Sequence, residues 1–322
     1  MAMSSRLRSV AVRVLRGEMP QRAAFSLAAL RGRALILVYH RVSAETAVDD
    51  LPSDSIVPVV TTALLRQHLE ALSCVGDFFP LAHIAADSGR DPSQRSTRIR
   101  FAVTFDDDEP SHAAHAAPLL RSMGIPATFF LSGRVLNELG APWWIRLEAR
   151  IASQDLSRTA AELGVTARSP GELAARCEGT PLTDRIDAEM PPPDPGSVLS
   201  CEGIATLAAM QGMTIGFHTL RHPVLTRLEV SAVDRALTDG RAALEAISNQ
   251  RIDQFAYPHG KFDRQTAERV QRSGFRLACG SGQRTVTVNA DRFSLSRWEP
   301  GPMNVEDLMA HTAMRLSLPP LP

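Results

Sequence analysis

The chain has 322 residues, of which 44% are hydrophobic and 22% are charged, a composition typical of a globular protein with a sizeable core. Lysine plus arginine equals aspartate plus glutamate at 35 each, so the charge gives no electrostatic basis for binding nucleic acid. No apolar run approaches the ~18 residues that a membrane span requires, so we predict no transmembrane segment.

The first 33 residues are basic, with seven arginines and one glutamate. The apolar stretch Ala23–Leu30 is short, precedes two arginines and lacks a small-residue cleavage site, which argues against a signal peptide. We predict that Ser4–Leu30 is an amphipathic helix lying on the protein, with peripheral membrane contact through its arginine-rich face as the alternative. The four cysteines have no CxxC spacing, which favours free thiols and a cytoplasmic protein.

Short β-branched and aromatic runs alternate with segments of helical period, a pattern typical of a parallel sheet. The predicted strands are Ala34–Tyr39, Arg100–Phe105, Pro126–Leu131, Met213–Phe217, Gln254–Tyr257, Phe275–Cys279 and Phe293–Trp298. The predicted helices between them are Thr62–Cys74, Ser111–Met123, Ile204–Gln211, Ser231–Ser248 and Arg264–Ser273. About seven parallel strands in one sheet predict an α/β fold, namely a distorted (β/α) barrel over residues 34–322.

The alternation is interrupted between residues 134 and 200. Trp143 and Trp144 begin a predicted helix that reaches Gln154, and further helical stretches end at a proline-rich turn over residues 191–196. We predict a helical insertion in the barrel rather than an independent domain. The two tryptophans either pack the core of this insertion or form a platform on which a sugar stacks.

Polar side chains follow four of the predicted strands. In a parallel barrel the active site lies at the carboxyl ends of the strands, so we expect these carboxylates and imidazoles to meet on one face. In chain order the residues are His40; Asp106, Asp107 and Asp108; His218 and His222; and Pro258, His259 and Gly260.

Two of these groups have the residue types of a metal site. His218 and His222 are four residues apart, so their imidazoles lie one above the other in a helical turn. One carboxylate from another strand would complete a facial triad with open positions. Asp106 and Asp107 could instead cap the next helix, but adjacent carboxylates repel unless a cation neutralises them.

Three segments together resemble the motifs of the polysaccharide deacetylase (NodB-homology) family. They are Thr104-Phe-Asp-Asp107, His218-Thr-Leu-Arg-His-Pro223 and Phe255-Ala-Tyr-Pro-His-Gly260, in the order found in the family. The segment Gly124–Leu131 is similar to the strand that follows the first motif. The resemblance covers about residues 34–133 and 200–300 and leaves the insertion outside.

The resemblance implies a metal-dependent hydrolase that removes N-acetyl groups from an N-acetylated sugar or a polysaccharide precursor. Asp107, His218 and His222 would bind the divalent metal, most often Zn²⁺, with Co²⁺, Ni²⁺ or Fe²⁺ as alternatives. Asp106 would act as the general base on water, and a protonated histidine would give a proton to the leaving amine. A backbone N–H within residues 258–260 would meet the oxyanion charge.

The sequence departs from the family pattern in four places. Asp108 replaces a glycine, so the turn must accept a side chain, which an aspartate in a left-handed conformation allows. Ala256 stands at the position of the usual arginine, and His259 replaces the usual tyrosine. The late histidine motif that supplies the general acid is missing, because the last strand reads Ser296-Arg-Trp-Glu-Pro300.

Tyr39-His40 resembles the YH motif of the exopolysaccharide deacetylase branch, which implies that His40 is the acid. A structural or orienting role for His40 is the alternative, with His259 as the other candidate acid. Arg297 either replaces the missing arginine beside Asp106 or forms a salt bridge elsewhere, and it joins Asp108 and the residues 258–260 as a candidate substrate or oxyanion contact. Three further histidines are predicted on helix faces, namely His112, which could reach the pocket rim, His115 and His311.

Two other functions are compatible with these residues. One is hydrolysis of another C–N bond, in a cyclic imide or a formamide, on the same fold. The other is a catalytically inactive barrel that binds glycan, although the presence of a base, metal ligands and an acid argues against it. Without a signal peptide or a carbohydrate-binding module, the sequence favours a cytoplasmic precursor over a finished extracellular polymer as the substrate.

Overall fold

The computed structural model describes residues 18–45, 55–86, 98–190, 195–282, 284–287 and 290–318. Its strands carry the polar residues of interest at their carboxyl ends. The strands are β1 (Ala34–Tyr39), β2 (Arg41–Ser43), β3 (Val59–Thr61), β4 (Gly76–Phe78), β5 (Ile99–Asp106), β6 (Ala127–Leu131), β7 (Met213–Phe217), β8 (Gln254–Ala256), β9 (Leu277–Ser281) and β10 (Leu295–Trp298).

Seven of the described strands form a closed, all-parallel barrel in the order β1-β10-β9-β8-β7-β6-β5, which confirms the predicted fold class. Strand β1 closes the barrel because it pairs with β5 along its whole length and with β10 through Ile36 and Leu37. The short strand β4 pairs with the first half of β5, and β6 pairs with the second half. Strands β2 and β3 form a separate parallel pair beside the barrel.

Helices surround the barrel and cover the outer face of its strands. Side chains from the inner face of the strands fill the interior of the barrel. The helices are α1 (Glu18–Leu30), α2 (Thr62–Val75), α3 (Leu81–Ala86), α4 (Ala117–Met123), α5 (Trp143–Gln154), α6 (Leu156–Glu162), α7 (Pro170–Cys177), α8 (Pro181–Glu189), α9 (Cys201–Ala209), α10 (Val230–Ala236), α11 (Arg241–Ser248), α12 (Arg264–Arg272) and α13 (Val305–Ser317). Of the helices described, none is long and apolar enough to cross a membrane.

The alternation of side chains along β5 decides which residues enter the barrel. Phe101, Val103 and Phe105 belong to the apolar layer between the strands and the helices. Ala102 belongs to a second apolar cluster with residues such as Ile36. Because side chains alternate, the positions that share the face of Ala102 are 104 and 106, so Asp106 is directed into the end of the barrel.

Helices α5 to α8 lie between β6 and α9, in the region of the predicted insertion. Their apolar side chains form a cluster of their own, which includes Trp143, Trp144 and Leu173. Val57, from the segment before β3, is part of the same cluster. The insertion therefore has its own core but shares it with a segment of the barrel rim.

The prediction of one helix over Ser231–Ser248 is wrong. The segment forms α10 and α11, and Gly240 between them has a φ of 84°. A left-handed residue ends a helix, and its position inside an otherwise periodic pattern hid the break. The sequence also gave no prediction of β2, β3, β4 or α3, which have only three to six residues each.

At the N-terminus, α1 covers the last part of the predicted helix, and residues 4–17 of that prediction lie outside the described residues, as does most of the proline-rich turn. Phe25, Ala28 and Ala29 on α1 are buried, and the helix packs against α13. The four cysteines are unpaired, as the sequence predicts.

Candidate active site and metal centre

Asp107, His218 and His222 lie together beyond the carboxyl ends of β5 and β7, with one donor atom of each within 4.8 Å of the others. Oδ1 of Asp107 is 3.8 Å from Nε2 of His218 and 3.9 Å from Nε2 of His222. The two Nε2 atoms are 3.1 Å apart. A tetrahedral cation with ligand distances of ~2.1 Å separates its donors by roughly 3.4 Å, so this donor set fits one divalent cation.

The protonation of the two imidazoles also fits cation binding. His218 Nδ1 donates a hydrogen bond of 2.9 Å to the carbonyl of Ala256, which leaves the lone pair on Nε2 directed at the site. Burial lowers the pKa of His218, and burial together with His259 lowers the pKa of His222 well below its usual value. Both side chains are therefore neutral at neutral pH, which is the form in which an imidazole binds a metal.

Burial raises the pKa of Asp107, His40 opposes this rise, and the carboxylates of Asp106, Glu109 and Asp108 add to it, so that the pKa is about 7. A carboxylate with this surrounding is costly to ionise without a counter-charge. We call Asp107, His218 and His222 the triad, and a divalent cation bound there would remove that cost.

The backbone is left-handed at three non-glycine residues of this site. Asp107 has a φ of 72°, Thr219 of 63° and His222 of 52°. Such conformations cost of order 1–3 kcal/mol each and persist only where the surrounding structure enforces them. Two of these residues, Asp107 and His222, carry donor atoms of the cluster, and Thr219 Oγ1 accepts a hydrogen bond of 3.1 Å from the N–H of His222.

Asp106 is buried beside the triad and is paired with Arg297 from β10. Two nitrogens of the Arg297 guanidinium each donate a hydrogen bond of 2.6 Å to the two oxygens of Asp106, and one of them also lies 3.3 Å from Oγ1 of Thr104. Burial alone would raise the pKa of Asp106, but Arg297 and then His218 lower it to about 2. The carboxylate is therefore ionised at neutral pH, and its Oδ2 lies 3.8 Å from Nε2 of His218.

His40, at the end of β1, forms an ion pair with Glu299. Its Nδ1 is 2.7 Å from Oε1 of Glu299. Burial alone would lower the pKa of His40, but Glu299, and then Asp107 and Asp106, raise it to about 9. The imidazole is therefore protonated at neutral pH, which the sequence alone did not indicate because Glu299 has no motif of its own.

His112 is hydrogen-bonded to the backbone of His40. It is buried between the rings of Phe105 and Phe129, and burial lowers its pKa to about 3. The neutral imidazole therefore donates from Nε2 to the carbonyl of His40, 3.0 Å away. His112 lies under the site rather than on the pocket rim.

The 258–260 turn follows β8 and borders His222. His259 has a φ of 59° and Gly260 of 63°, and a side chain at Gly260 would collide with Ser281. The N–H of Gly260 donates a hydrogen bond of 2.8 Å to the carbonyl of Tyr257 within the turn. The Nε2 atom of His259 is 3.3 Å from the carbonyl oxygen of His222.

The side chain of Asp108 is directed at a loop rather than at the donors of the triad. Its Oδ1 accepts a hydrogen bond of 2.8 Å from the N–H of Ser132, and its Oδ2 accepts one of 3.2 Å from the N–H of Arg134. Asp108 does not use the left-handed conformation that an aspartate could adopt at this position, because Asp107 is the residue with positive φ. Asp108 therefore fastens the turn after β6, which a glycine at this position could not do.

A cavity of about 250 Å³ opens onto the triad. On the barrel side it is lined by His40, Asp107, His222 and His259, and on the other side by the insertion. Trp143 and Trp144 both line the cavity and are both nearly buried. They therefore pack in the core of the insertion and also form part of the cavity wall. The ring centroid of Trp144 is 4.8 Å from that of His222.

His115 and His311, which were predicted on helix faces, lie outside this cavity. His115 lines a neighbouring cavity of about 550 Å³ next to Arg41. His311 is half-buried on α13 and stacks on the ring of Trp298, with centroids 6.5 Å apart.

A parallel barrel with two histidines and an aspartate around one point, beside a buried ionised carboxylate, has the side chains of a hydrolase. A family model described as polysaccharide deacetylase matches residues 93–278 of the chain. This is more than half of the sequence, and the chain belongs to the polysaccharide deacetylase family. It is therefore an enzyme that hydrolyses an N-acetyl amide, a C–N bond other than a peptide bond.

Solved structures share the fold. The deacetylase PplD of Streptococcus pyogenes, in complex with acetate, aligns with a TM-score of 0.59 at 17% identity, over 86% of this chain and 96% of that one. IcaB from Ammonifex degensii aligns with a TM-score of 0.55 at 21% identity, over 89% and 97%. A de-N-acetylase from Aggregatibacter actinomycetemcomitans aligns with a TM-score of 0.55 at 13% identity, over 85% and 96%. No curated protein sequence is significantly similar to this chain.

Proposed function

We propose that this protein removes acetyl groups from an N-acetylated sugar or polysaccharide precursor, and that Asp107, His218 and His222 hold the divalent cation that the reaction needs. The observation that carries this proposal is the convergence of the three donor atoms within 4.8 Å, next to Asp106. A bound cation, which we propose to be Zn²⁺ because two imidazoles and a carboxylate suit it, would polarise the acetamide carbonyl and acidify water.

Asp106 is the proposed general base. Its pair with Arg297 keeps it ionised, and its fixed position at the barrel end holds it within reach of a water at the triad. The two roles of the adjacent aspartates follow from their surroundings, since Arg297 neutralises Asp106 and leaves Asp107 to the cation.

His40 is the proposed general acid, as in the YH-motif branch of the family. An amine leaves only after its nitrogen is protonated, so the site requires a group that carries a proton at neutral pH. His40 carries one because Glu299 stabilises the imidazolium, and the hydrogen bond from His112 to the carbonyl of His40 fixes its backbone.

The N–H of His259 is the proposed donor to the oxyanion. Within the 258–260 turn, Pro258 has no N–H, and the N–H of Gly260 is already bonded to the carbonyl of Tyr257. The position of His259 on the wall of the cavity supports this assignment, which does not require its imidazole to take part. This assignment leaves the side chain of His259 free for a structural contact with the insertion.

The proposed substrate follows from the family and from the printed descriptions of its structural neighbours. One of them was solved with acetate, and another is described as a de-N-acetylase. We propose an N-acetylhexosamine as the substrate sugar. The unpaired state of all four cysteines is compatible with a precursor that is processed in a reducing compartment.

Acetate release tests this proposal directly. The purified enzyme would be treated with a chelator, reloaded with Zn²⁺, Co²⁺ or Ni²⁺, and assayed on nucleotide-linked, lipid-linked and oligomeric N-acetylhexosamines, with a cyclic imide and a formamide in parallel. We expect acetate only from the metal-loaded protein and from at least one sugar. Hydrolysis of the imide or formamide alone would refute the proposal that the substrate is a sugar. Acetate release after complete metal removal would refute the proposal that the reaction needs a metal at this site.

A further inference from the structure

We propose that the helical insertion limits this enzyme to one terminal N-acetylhexosamine, which enters the cavity end-on, and excludes the internal residues of a polymer. The inference rests on the proposed function and adds to it the class of substrate. It is drawn from the walls of the cavity, which come from helices α5 and α7 as much as from the barrel.

One wall is a single face of α7. Gly171, Ala174, Ala175 and Glu178 all line the cavity, and their spacing of three, four and seven residues places them on one side of a helix. The first three have almost no side chain, so the backbone of α7 itself forms the wall. The face leaves room for a sugar ring and blocks any continuation of the glycan in that direction.

A second wall is formed by Trp143 and Trp144 of α5 together with Ile56 and Val57 from the segment before β3. The indole rings of Trp143 and Trp144, which stand at 86° to each other, give this wall an aromatic surface of the kind that suits the apolar face of a pyranose ring. Because Trp144 also lies against the ring of His222, a sugar on this wall would carry its acetamide toward the triad.

Glu148 fastens this second wall to the barrel rim. Its carboxylate accepts hydrogen bonds from the N–H of Ile56 at 2.5 Å and from Oγ of Ser55 at 3.1 Å. The other carboxylate oxygen accepts one of 2.9 Å from Arg41, which follows His40. These hydrogen bonds therefore join helix α5 and the segment before β3 into one wall.

A second clamp closes the opposite end of the insertion. Glu178, at the end of α7, forms an ion pair with Lys261 and lies 3.2 Å from Nδ1 of His259, so it is joined to the 258–260 turn. Arg227 donates a hydrogen bond of 2.7 Å to the carbonyl of the next residue, Gly179. The insertion is thus fastened to the rim on both sides of the triad and acts as a fixed wall.

The size of the cavity agrees with this assignment. At about 250 Å³ it lies just below the ~300–1,000 Å³ of sites that enclose a drug-sized ligand, which is room for one sugar with its acetamide. A polymer bound across the barrel end would need an exit on each side of the reacting residue. The fastened insertion occupies one of those exits.

The position of deacetylation decides the question. Tetramers of N-acetylglucosamine with β-1,4 or β-1,6 linkages, labelled at the reducing end, would be treated with the metal-loaded enzyme and sequenced by tandem mass spectrometry. We expect one acetate per chain, released from a terminal residue, and an initial rate per chain that is the same for dimer and tetramer. Release from internal residues at a comparable rate would overturn the inference while leaving the proposed deacetylase function intact.

A variant that opens the wall gives a second, independent test. The double variant Glu178→Ala with Lys261→Ala removes one clamp, and we expect internal deacetylation of the tetramer to rise at least tenfold relative to terminal deacetylation. Glu172→Ala, on the same helix but facing solvent, is the matched control and should keep the terminal pattern. An unchanged pattern in a clamp variant with native circular dichroism would refute the role of the insertion, and absence of acetate from every sugar, including the monosaccharide, would refute the proposed function itself.

Discussion

Replacing Glu299 by glutamine should change the protonation of His40 more than any other single substitution outside the metal ligands. The pKa of His40 is about 9, against an ordinary value of 6.5, although burial acts in the opposite direction. Because Glu299 is the largest contributor to the rise, its loss should lower the pKa of His40 markedly, since Asp107 and Asp106 alone would then oppose the effect of burial.

The sign of the stability effect follows from the same shift. A histidine with a raised pKa in the folded state contributes stability that is fully present below pH 6.5 and is lost as the pH rises through about 9. A shift of ~2.5 units corresponds to ~3.4 kcal/mol. The side chain of Glu299 is 36% exposed, so screening by solvent reduces the expected loss in Glu299→Gln at neutral pH to about 1–2 kcal/mol.

The assay is the dependence of kcat/KM on pH with an N-acetylated sugar. If His40 is the acid, the alkaline limb of the wild type should lie near pH 9, and Glu299→Gln should move it to lower pH. Glu70→Gln, a change of the same charge at an exposed position on α2, should leave it in place. An alkaline limb that stays near pH 9 in Glu299→Gln would refute the assignment of the proton to this pair.

The leaving group supplies an independent check on the same assignment. His40→Ala should bind metal normally, hydrolyse acetamides poorly and lose the alkaline limb. It should lose much less activity on an activated acetyl ester, whose leaving group needs no proton. Equal losses on amide and ester would indicate that His40 only positions the substrate and would move the acid assignment to His259.

Three further predictions concern the other residues of the site. His218→Ala or His222→Ala should abolish bound metal and activity with the fold intact, and stoichiometric zinc in both variants by elemental analysis would contradict the site. Asp106→Asn should keep the metal and lower turnover by ~10²-fold or more. Asp107→Asn should weaken metal binding in a calorimetric titration, and the opposite result for the two variants would exchange their roles. Asp108→Ala should lower the free energy of unfolding by roughly 3 kcal/mol, because buried donors lose a charged acceptor, and urea unfolding within 0.5 kcal/mol of the wild type would show that the loop does not depend on it.

Much of the barrel could be predicted from sequence because its strands are buried on both faces and are therefore continuous apolar runs. The predicted bounds Ala34–Tyr39, Met213–Phe217 and Trp143–Gln154 agree with β1, β7 and α5 residue for residue. The position of the site followed from the rule that polar residues at strand ends meet on one face. These features depend on local pattern, which the sequence carries directly.

Contacts between distant segments could not be predicted in the same way. The pair of His40 and Glu299 forms because β1 pairs with β10. The register of that pairing cannot be predicted from the sequence of either strand alone. The clamp between Glu178 and Lys261 joins residues 83 apart in the chain. Gly240 shows the reverse case, in which a single left-handed residue interrupts a pattern that periodicity treats as continuous.

The closure of the barrel by β10 has a consequence for how the enzyme matures. Asp107 directly follows β5, and His218 and His222 follow β7, so the residues of the triad are synthesised well before β10. Arg297, by contrast, is 191 residues beyond Asp106, and Glu299 follows it. A nascent or truncated chain without β10 would have the proposed metal ligands but neither the pair of Asp106 with Arg297 nor the pair of His40 with Glu299. Hydrolytic activity is therefore expected to appear only when β10 joins the barrel, so that an incomplete enzyme is inactive rather than partly active.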